Sequence, residues 1–359
     1  MKKRRLFCAV LALVLGLTGC SEHDTGYVEP KEKEDLSAVH VEVDLDKAYS
    51  GDRCMIYEGR AWNPPEEDKI LKAFFKDCKK RDYTREEQGD QTQLDYERKD
   101  QKGTSLSTYG ENAPHYSCGI AYGTKEAEKV NALLDNKETE EKVDAYYAYG
   151  GAPDTEWEKT GITEEKKKAE ELASQVSMPY YEPEYVISFK QKKDHIKQIF
   201  WRQMIGGIPV CTIPINKNGG GTAGKIIYND KLQVKGLEEQ RNGILTTTYR
   251  NGELVNWFNY DAVTDMKPLK EMDLVPVAEA YETAASQAVQ DLAGKTDDIR
   301  LVRAVLEYKV TGRNGKVYAY PVWDLNFDAD LPQGSDSHYV YLVDACTGKF
   351  FTGIDAAFE

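Results

Sequence analysis

Apolar positions recur along this chain with two periods, near 3.6 and near 2, and the switches between them mark out its elements. An apolar run of about a dozen residues, Leu6 to Leu17, comes first, behind four basic residues. Helical spacing follows at Ile70, Leu71, Phe74, Phe75 and Cys78. The stretch before it, Asn63-Pro64-Pro65-Glu66-Glu67-Asp68, supplies a capping side chain, a proline suited to the first turn, and acids for the positive end of the helix dipole. Helical spacing returns at Ala127, Val130, Leu133 and Leu134, then at Ala169, Leu172, Ala173 and Val176 behind Thr163. It appears last at Val277, Tyr281, Ala284, Ala288 and Leu292, closed by Gly294.

The rest reads as strands. Short ones are predicted at Val39 to Leu45, Cys54 to Tyr57, Gln93 to Tyr96, Thr104 to Tyr109 and Ser117 to Tyr122. Longer ones follow at Tyr185 to Phe189, Ile196 to Ile205, Ile299 to Val310, Val317 to Phe327 and Tyr339 to Val343. Asn251-Gly252, between Ile244–Tyr249 and Leu254–Tyr260, is the strongest hairpin signal, and Asn314-Gly315 repeats it. A helix followed by an antiparallel meander thus occurs twice, about 110 residues apart, too far for a solenoid repeat. The predicted fold class is α+β: tandem modules of one helix packed on an antiparallel β-meander.

The N-terminus sets the domain plan. Lys2, Lys3, Arg4 and Arg5, an apolar run too short to span a bilayer, and Leu17-Thr18-Gly19-Cys20 form an export signal whose cut site resembles the lipobox of bacterial lipoproteins. That resemblance implies cleavage between Gly19 and Cys20 and a lipid on the Cys20 thiol. Residues 1–19 are then a lipoprotein signal peptide, and 20–38 an acidic tether. An N-terminal α+β domain is expected over 39–161, where Gly150-Gly151-Ala152-Pro153 breaks the chain, with α+β modules over 162–270 and 271–359.

Charge and cysteine usage narrow the classes of function. The formal charge of −14 becomes −18 once the four basic residues of the signal are removed. Such a surface is repelled by nucleic acid and by anionic lipid headgroups, so membrane attachment falls to the lipid on Cys20. Cys54, Cys78, Cys118, Cys211 and Cys346 remain, an odd number without a Cys-x-x-Cys pair for redox or metal work; one disulfide among Cys54, Cys78 and Cys118 stays open, and buried free thiols are favoured over it. The five histidines are dispersed and lack zinc-site spacing.

A second resemblance rests on the C-terminal half. Val277 to Leu292, Ala304-Val305-Leu306-Glu307-Tyr308, Tyr320-Pro321-Val322-Trp323-Asp324-Leu325 and Tyr341-Leu342-Val343-Asp344-Ala345-Cys346-Thr347-Gly348-Lys349 look like the PepSY superfamily and the Yyc-type accessory proteins of Gram-positive surfaces. Phe200 through Gly207-Ile208-Pro209-Val210 resembles the corresponding strand pair of the middle module. The resemblance implies a PepSY/cystatin-like fold in both modules and a non-catalytic role in binding or regulation.

Other chemistry is weakly signalled. Gly219-Gly220-Gly221-Thr222-Ala223-Gly224-Lys225 fits a phosphate loop until Ile226 takes the place of the magnesium-binding Ser or Thr, and β-like residues follow. Asp324, Asp328, Asp330, Asp336 and Asp344 are acidic enough for calcium but lack EF-hand spacing, and Asp344 reads more simply as a turn residue. No catalytic nucleophile motif is present, and Trp201, Trp257 and Trp323 sit at strand positions that favour a core over a ligand groove. The sequence therefore points to an extracytoplasmic lipoprotein on the outer face of the cell membrane, needing no cofactor or metal, that engages a protein or peptide partner and not nucleic acid. The competing reading is an extracytoplasmic hydrolase acting on a peptide or glycan.

Overall fold

The computed structural model describes residues 35–76, 79–88, 93–109, 118–134, 144–147, 160–191, 193–212, 239–241, 243–313, 316–330 and 336–351. Seventeen strands in these residues divide between two sheets.

The smaller sheet has seven strands and is built around the hairpin β15 (Ile299–Arg313) and β16 (Lys316–Asp330). Along the far side of β16 lie β17 (Asp336–Asp344) and β2 (Arg53–Ala61), and β14 (Val263–Asp273) extends the sheet beyond β2. Along the far side of β15 lie β1 (Val39–Val41), which runs parallel to it, and β11 (Glu239–Arg241). The C-terminal helix, Val277–Leu292, presents Ala280, Ala284, Ala285, Ala288 and Leu292 to Leu301, Leu325, Phe327 and Tyr341. A stripe of alanines lets the helix lie close to the sheet, and each large apolar side chain buried beneath contributes roughly 1.5–3 kcal/mol.

The larger sheet has ten strands. In spatial order they are β3 (Tyr83–Gln88), β4 (Gln93–Arg98), β5 (Ser105–Tyr109), β6 (Gly119–Gly123), β13 (Glu253–Tyr260), β12 (Ile244–Arg250), β9 (Asp194–Ile205), β8 (Tyr181–Gln191) and β7 (Asp144–Tyr147), with β10 (Ile208–Pro209) paired to β9. Helices α1 (Glu67–Phe74) and α3 (Thr163–Gln175) cover one face, over a core of Leu106, Ile120, Val186, Ile199, Trp201, Leu245 and Trp257. The buried indoles are satisfied: Trp201 donates to Thr247 Oγ1 at 2.8 Å and Trp257 to Asn259 Oδ1 at 3.1 Å.

Two features tie the sheets together. From Tyr260, the end of β13, the chain passes through Asp261 and Ala262 directly into β14, changing sheet within two residues. Asp261 makes the corner with φ +58°, and Ala262 O accepts from Trp62 N at 2.8 Å. After β10, Val210 bridges in parallel to Tyr308 of β15, and Cys211 N donates to Tyr308 O at 2.8 Å.

This architecture corrects the expected fold class. The protein is mostly β, with four α-helices among the described residues, and it is not a tandem of PepSY/cystatin-like α+β modules each with one helix on its own meander. The hairpins at Asn251-Gly252 and between β15 and β16 form as their local sequences dictate. Their outer edges recruit strands from far along the chain: β6 pairs with β13, and β2 inserts between β16 and β14. Helices at 67–74, 125–134, 163–175 and 277–292 match the periodic segments.

Candidate functional site

The face of the ten-stranded sheet opposite α1 and α3 is the candidate site. Burial along β13 alternates strictly: Val255, Trp257 and Asn259 are buried, while Asn256, Phe258 and Tyr260 are half-buried. The strand registers carry Phe258 into one continuous ladder: Tyr185, Phe200, Thr246, Phe258, Ala121, Ser107, Asp95, Glu86. Eight strands at a spacing of about 4.8 Å make this row about 34 Å long. Phe200, Thr246, Phe258 and Ala121 are half-buried and belong to none of the core clusters among the described residues. The opposing ladder, by contrast, runs Val186, Ile199, Thr247, Trp257, Tyr122, Leu106, Tyr96, and lies within or against the main core.

Each long side of the row has a wall. On one side stands α2 (Lys125–Leu134), whose Val130 packs with Phe189, Ile196 and Val255 and whose Ala127 sits over Gly123, the Cβ position of that glycine being 3.9 Å from it. On the other, the next ladder, Arg202–Ile244–Tyr260, abuts the seven-stranded sheet. The aromatic half of the row is stiff: Tyr185 stacks on Phe200 with centroids 5.5 Å apart, and Phe258 leans on Tyr260 at 5.3 Å. Burial raises the Tyr260 hydroxyl pKa to about 12, with Asp261 adding to it. The outer half changes character, through Ser107 and Ser105 to the carboxylates of Asp95, Glu97 and Glu86. Asp95 accepts from Gln88 and Gln93, and Glu86 and Glu97 are exposed.

Arg202 anchors the inner wall. Its Nη1 donates to Val210 O at 2.8 Å and to Glu307 Oε1 at 3.2 Å, and its Nε to Glu184 Oε2 at 2.9 Å, with Nη2 on Glu184 Oε1. Arg303 Nη2 shares Glu307 Oε1 at 2.5 Å, and its Nη1 meets Asp324, which also accepts from Asn326 Nδ2 at 2.6 Å. Burial opposes ionisation of Arg202, but Glu184 and Glu307 outweigh it and hold its pKa above the usual value. Burial likewise works against a charged Glu307, yet Arg303 and Arg202 keep its pKa below the usual carboxylate range. Lys309, one pleat along from Glu307 and fully buried, has its pKa lowered by burial. These charges neutralise one another across the seam between the sheets and lock β9 to β15.

The residues singled out in the sequence fall elsewhere. Gly19, Cys20 and the Gly219–Lys225 loop lie outside the described residues, as does Cys78. Cys54, Cys118 and Cys211 are buried thiols and Cys346 is a half-buried one, and no disulfide joins them. Trp201, Trp257 and Trp323 are buried in the cores. The aspartates are dispersed: Asp324 serves the seam, Asp330 pairs with Arg300 at 2.9 Å, and Asp344 Oδ1 accepts from Cys346 N and Thr347 N to close its turn. Among the described residues no group of three His, Cys, Asp or Glu side chains is placed to hold a metal ion, and no helix is long and apolar enough to cross a membrane. The ladder residues themselves were not singled out, although Phe258 and Tyr260 alternating with Trp257 signal a strand with apolar side chains on both faces.

Comparison with known proteins adds fold and nothing more. No family model matches the chain, and no curated protein matches it. Among solved structures it matches the crystal structure of an uncharacterised protein from Eubacterium rectale ATCC 33656, at 12% identity and a TM-score of 0.56, over 88% of this chain and 91% of that one. The likeness is one of fold. It spans nearly the whole of both chains, so the overall fold recurs in a protein of largely different sequence.

Proposed function

We propose that the protein is an extracytoplasmic lipoprotein, held to the outer face of the cell membrane by a lipid on Cys20, that acts without catalysis by holding a protein or peptide partner. The observation that carries this reading is the half-buried ladder from Phe200 to Ser107, a stiff apolar platform walled on both sides. The whole row, from Tyr185 to Glu86, is long enough for an extended chain of about ten residues. The seam charges support the same reading, because Arg202, Arg303, Glu307 and Asp324 are engaged with one another and hold the platform's inner wall. The anchor is supported by Leu17-Thr18-Gly19-Cys20 and by the basic and apolar residues before it.

Two experiments test the two halves. Cys20→Ser should release the protein from membranes or leave it as uncleaved precursor, and unchanged fractionation with normal processing refutes the anchor. Crosslinking on whole cells from a photoreactive group at Ser107 should label a polypeptide. Recovery of no protein partner, together with turnover of a glycan or peptide by the purified chain, refutes the binding role.

A further inference from the structure

On its outer strands the charges that share the platform's face have one sign, while Arg250, on the same face by its register with Ile196, is held by Glu126 and Asp194. On strands β3 to β6 the side chains that share its face are Thr84, Glu86, Gln88, Gln93, Asp95, Glu97, Ser105, Ser107, Tyr109 and Ala121. Three are carboxylates and none is basic. The basic residues of the same strands, Arg85 and Arg98, turn to the opposite face, where Arg85 pairs with Glu67 at 3.3 Å and Arg98 lies over the Phe75 ring. Arg202, at the far end, is consumed by Glu184 and Glu307. The row is thus apolar, aromatic and half-buried at one end and anionic at the other.

From this asymmetry we infer that the platform takes a cationic extended polypeptide segment, its apolar side chains on Phe200 and Phe258 and its Lys or Arg side chains toward Glu86, Asp95 and Glu97. The inference rests on the binding role proposed above and adds the chemistry of the partner. The small side chains of Ala121, Ser105 and Ser107 allow a backbone to approach the floor between the two ends. An anionic polymer, glycan or nucleic acid, meets three carboxylates there, on a chain whose formal charge is −14 overall.

The test uses the full chain in detergent and two fluorescent peptides of about ten residues, one alternating Lys with Tyr and one alternating Glu with Tyr. Glu86→Lys/Glu97→Lys reverses the rim on exposed positions that tolerate change. Glu164→Lys/Glu171→Lys makes the same change in net charge on exposed positions of α3, behind the opposite face. The Lys peptide should bind, the rim variant should weaken it at least about tenfold, and the α3 variant should change it less than about threefold, with affinity falling as salt rises. Equal losses in both variants mean bulk charge attraction and overturn the inference. Binding of the Glu peptide that Ser107→Trp abolishes overturns the cationic partner while leaving the binding role intact. Binding of neither peptide overturns the inference, and the role itself falls only when no polypeptide is crosslinked at Ser107 and the purified chain turns over a glycan or peptide.

Discussion

Arg202→Met is the most informative single perturbation of the seam. Arg202 is buried and makes polar bonds to Glu184, which is partly exposed, and to Glu307 and Val210 O, which are shielded from water. Removing it leaves Glu307 with Arg303 at 2.5 Å, and Glu184 with Arg303 at 3.6 Å. Breaking a buried pair from one side costs about 3–5 kcal/mol, because a charge is left without its partner. With an m-value of about 3 kcal/mol per molar urea, the midpoint should fall by about 1–1.7 M. The double variant Arg202→Met/Glu307→Met removes one charge of each sign and leaves Arg303 with Asp324, so it should cost no more than the single change. The assay is urea unfolding followed by tryptophan fluorescence, which Trp201 and Trp323 report from the two sheets. A single variant within about 0.5 kcal/mol of the parent, or a double variant at the sum of the two singles, would refute the idea of a mutually neutralising seam.

Other outcomes follow from the same geometry. Glu307 has a folded pKa below its unfolded value, so its contribution is present above the unfolded pKa of about 4.3 and is lost as pH falls through the lowered one. Urea midpoints measured downward from about pH 5 should therefore drop more steeply for the parent than for Glu307→Gln, and parallel curves would count against the linkage. Gly119→Ala should unfold the protein or cost more than about 3 kcal/mol, because a Cβ there collides with the Asn259 carbonyl on the paired strand; a variant of normal melting temperature contradicts this. Cys346, whose thiol pKa is pushed up to about 12 by burial, should alkylate at pH 8 at least about a hundredfold more slowly than a free thiol, measured by mass spectrometry on the native chain.

Elements with local signatures were legible in the sequence. The turn at Asn251-Gly252 has both residues at positive φ, +53° and +79°, as an Asn-Gly hairpin requires, and the stripe from Val277 to Leu292 is a single helix. The sheets were not legible because their composition depends on non-local pairing. Nothing in Cys54-Met55-Ile56-Tyr57 announces that its strand lies between residues 263–273 and 317–319. The seam was hidden by the pleat itself. Arg303, Glu307 and Lys309 alternate with Ala304, Leu306 and Tyr308, and a polar alternate face is normally a solvent face. Here both faces are covered, since β9 brings Arg202 against the charged one. The platform was hidden for the converse reason: Phe200 and Phe258 look like core residues, and only the registers place them opposite Ile199 and Trp257.

The three-residue parallel strand at Val39–Val41 has a mechanical consequence. If the chain hangs from Cys20, any pull between the partner and the membrane enters the fold through this strand, which is tied to β15 over Ile299–Leu301 and by Glu42 N to Leu301 O at 3.0 Å. So short a clamp yields before anything else. The load then reaches β2, nine residues long, paired along its length to β14 and flanked at 57–59 by β16, which must be sheared as a whole. A weak link in series with a strong one gives a fuse that lengthens the tether under tension and spares the rest of the smaller sheet and all of the larger one.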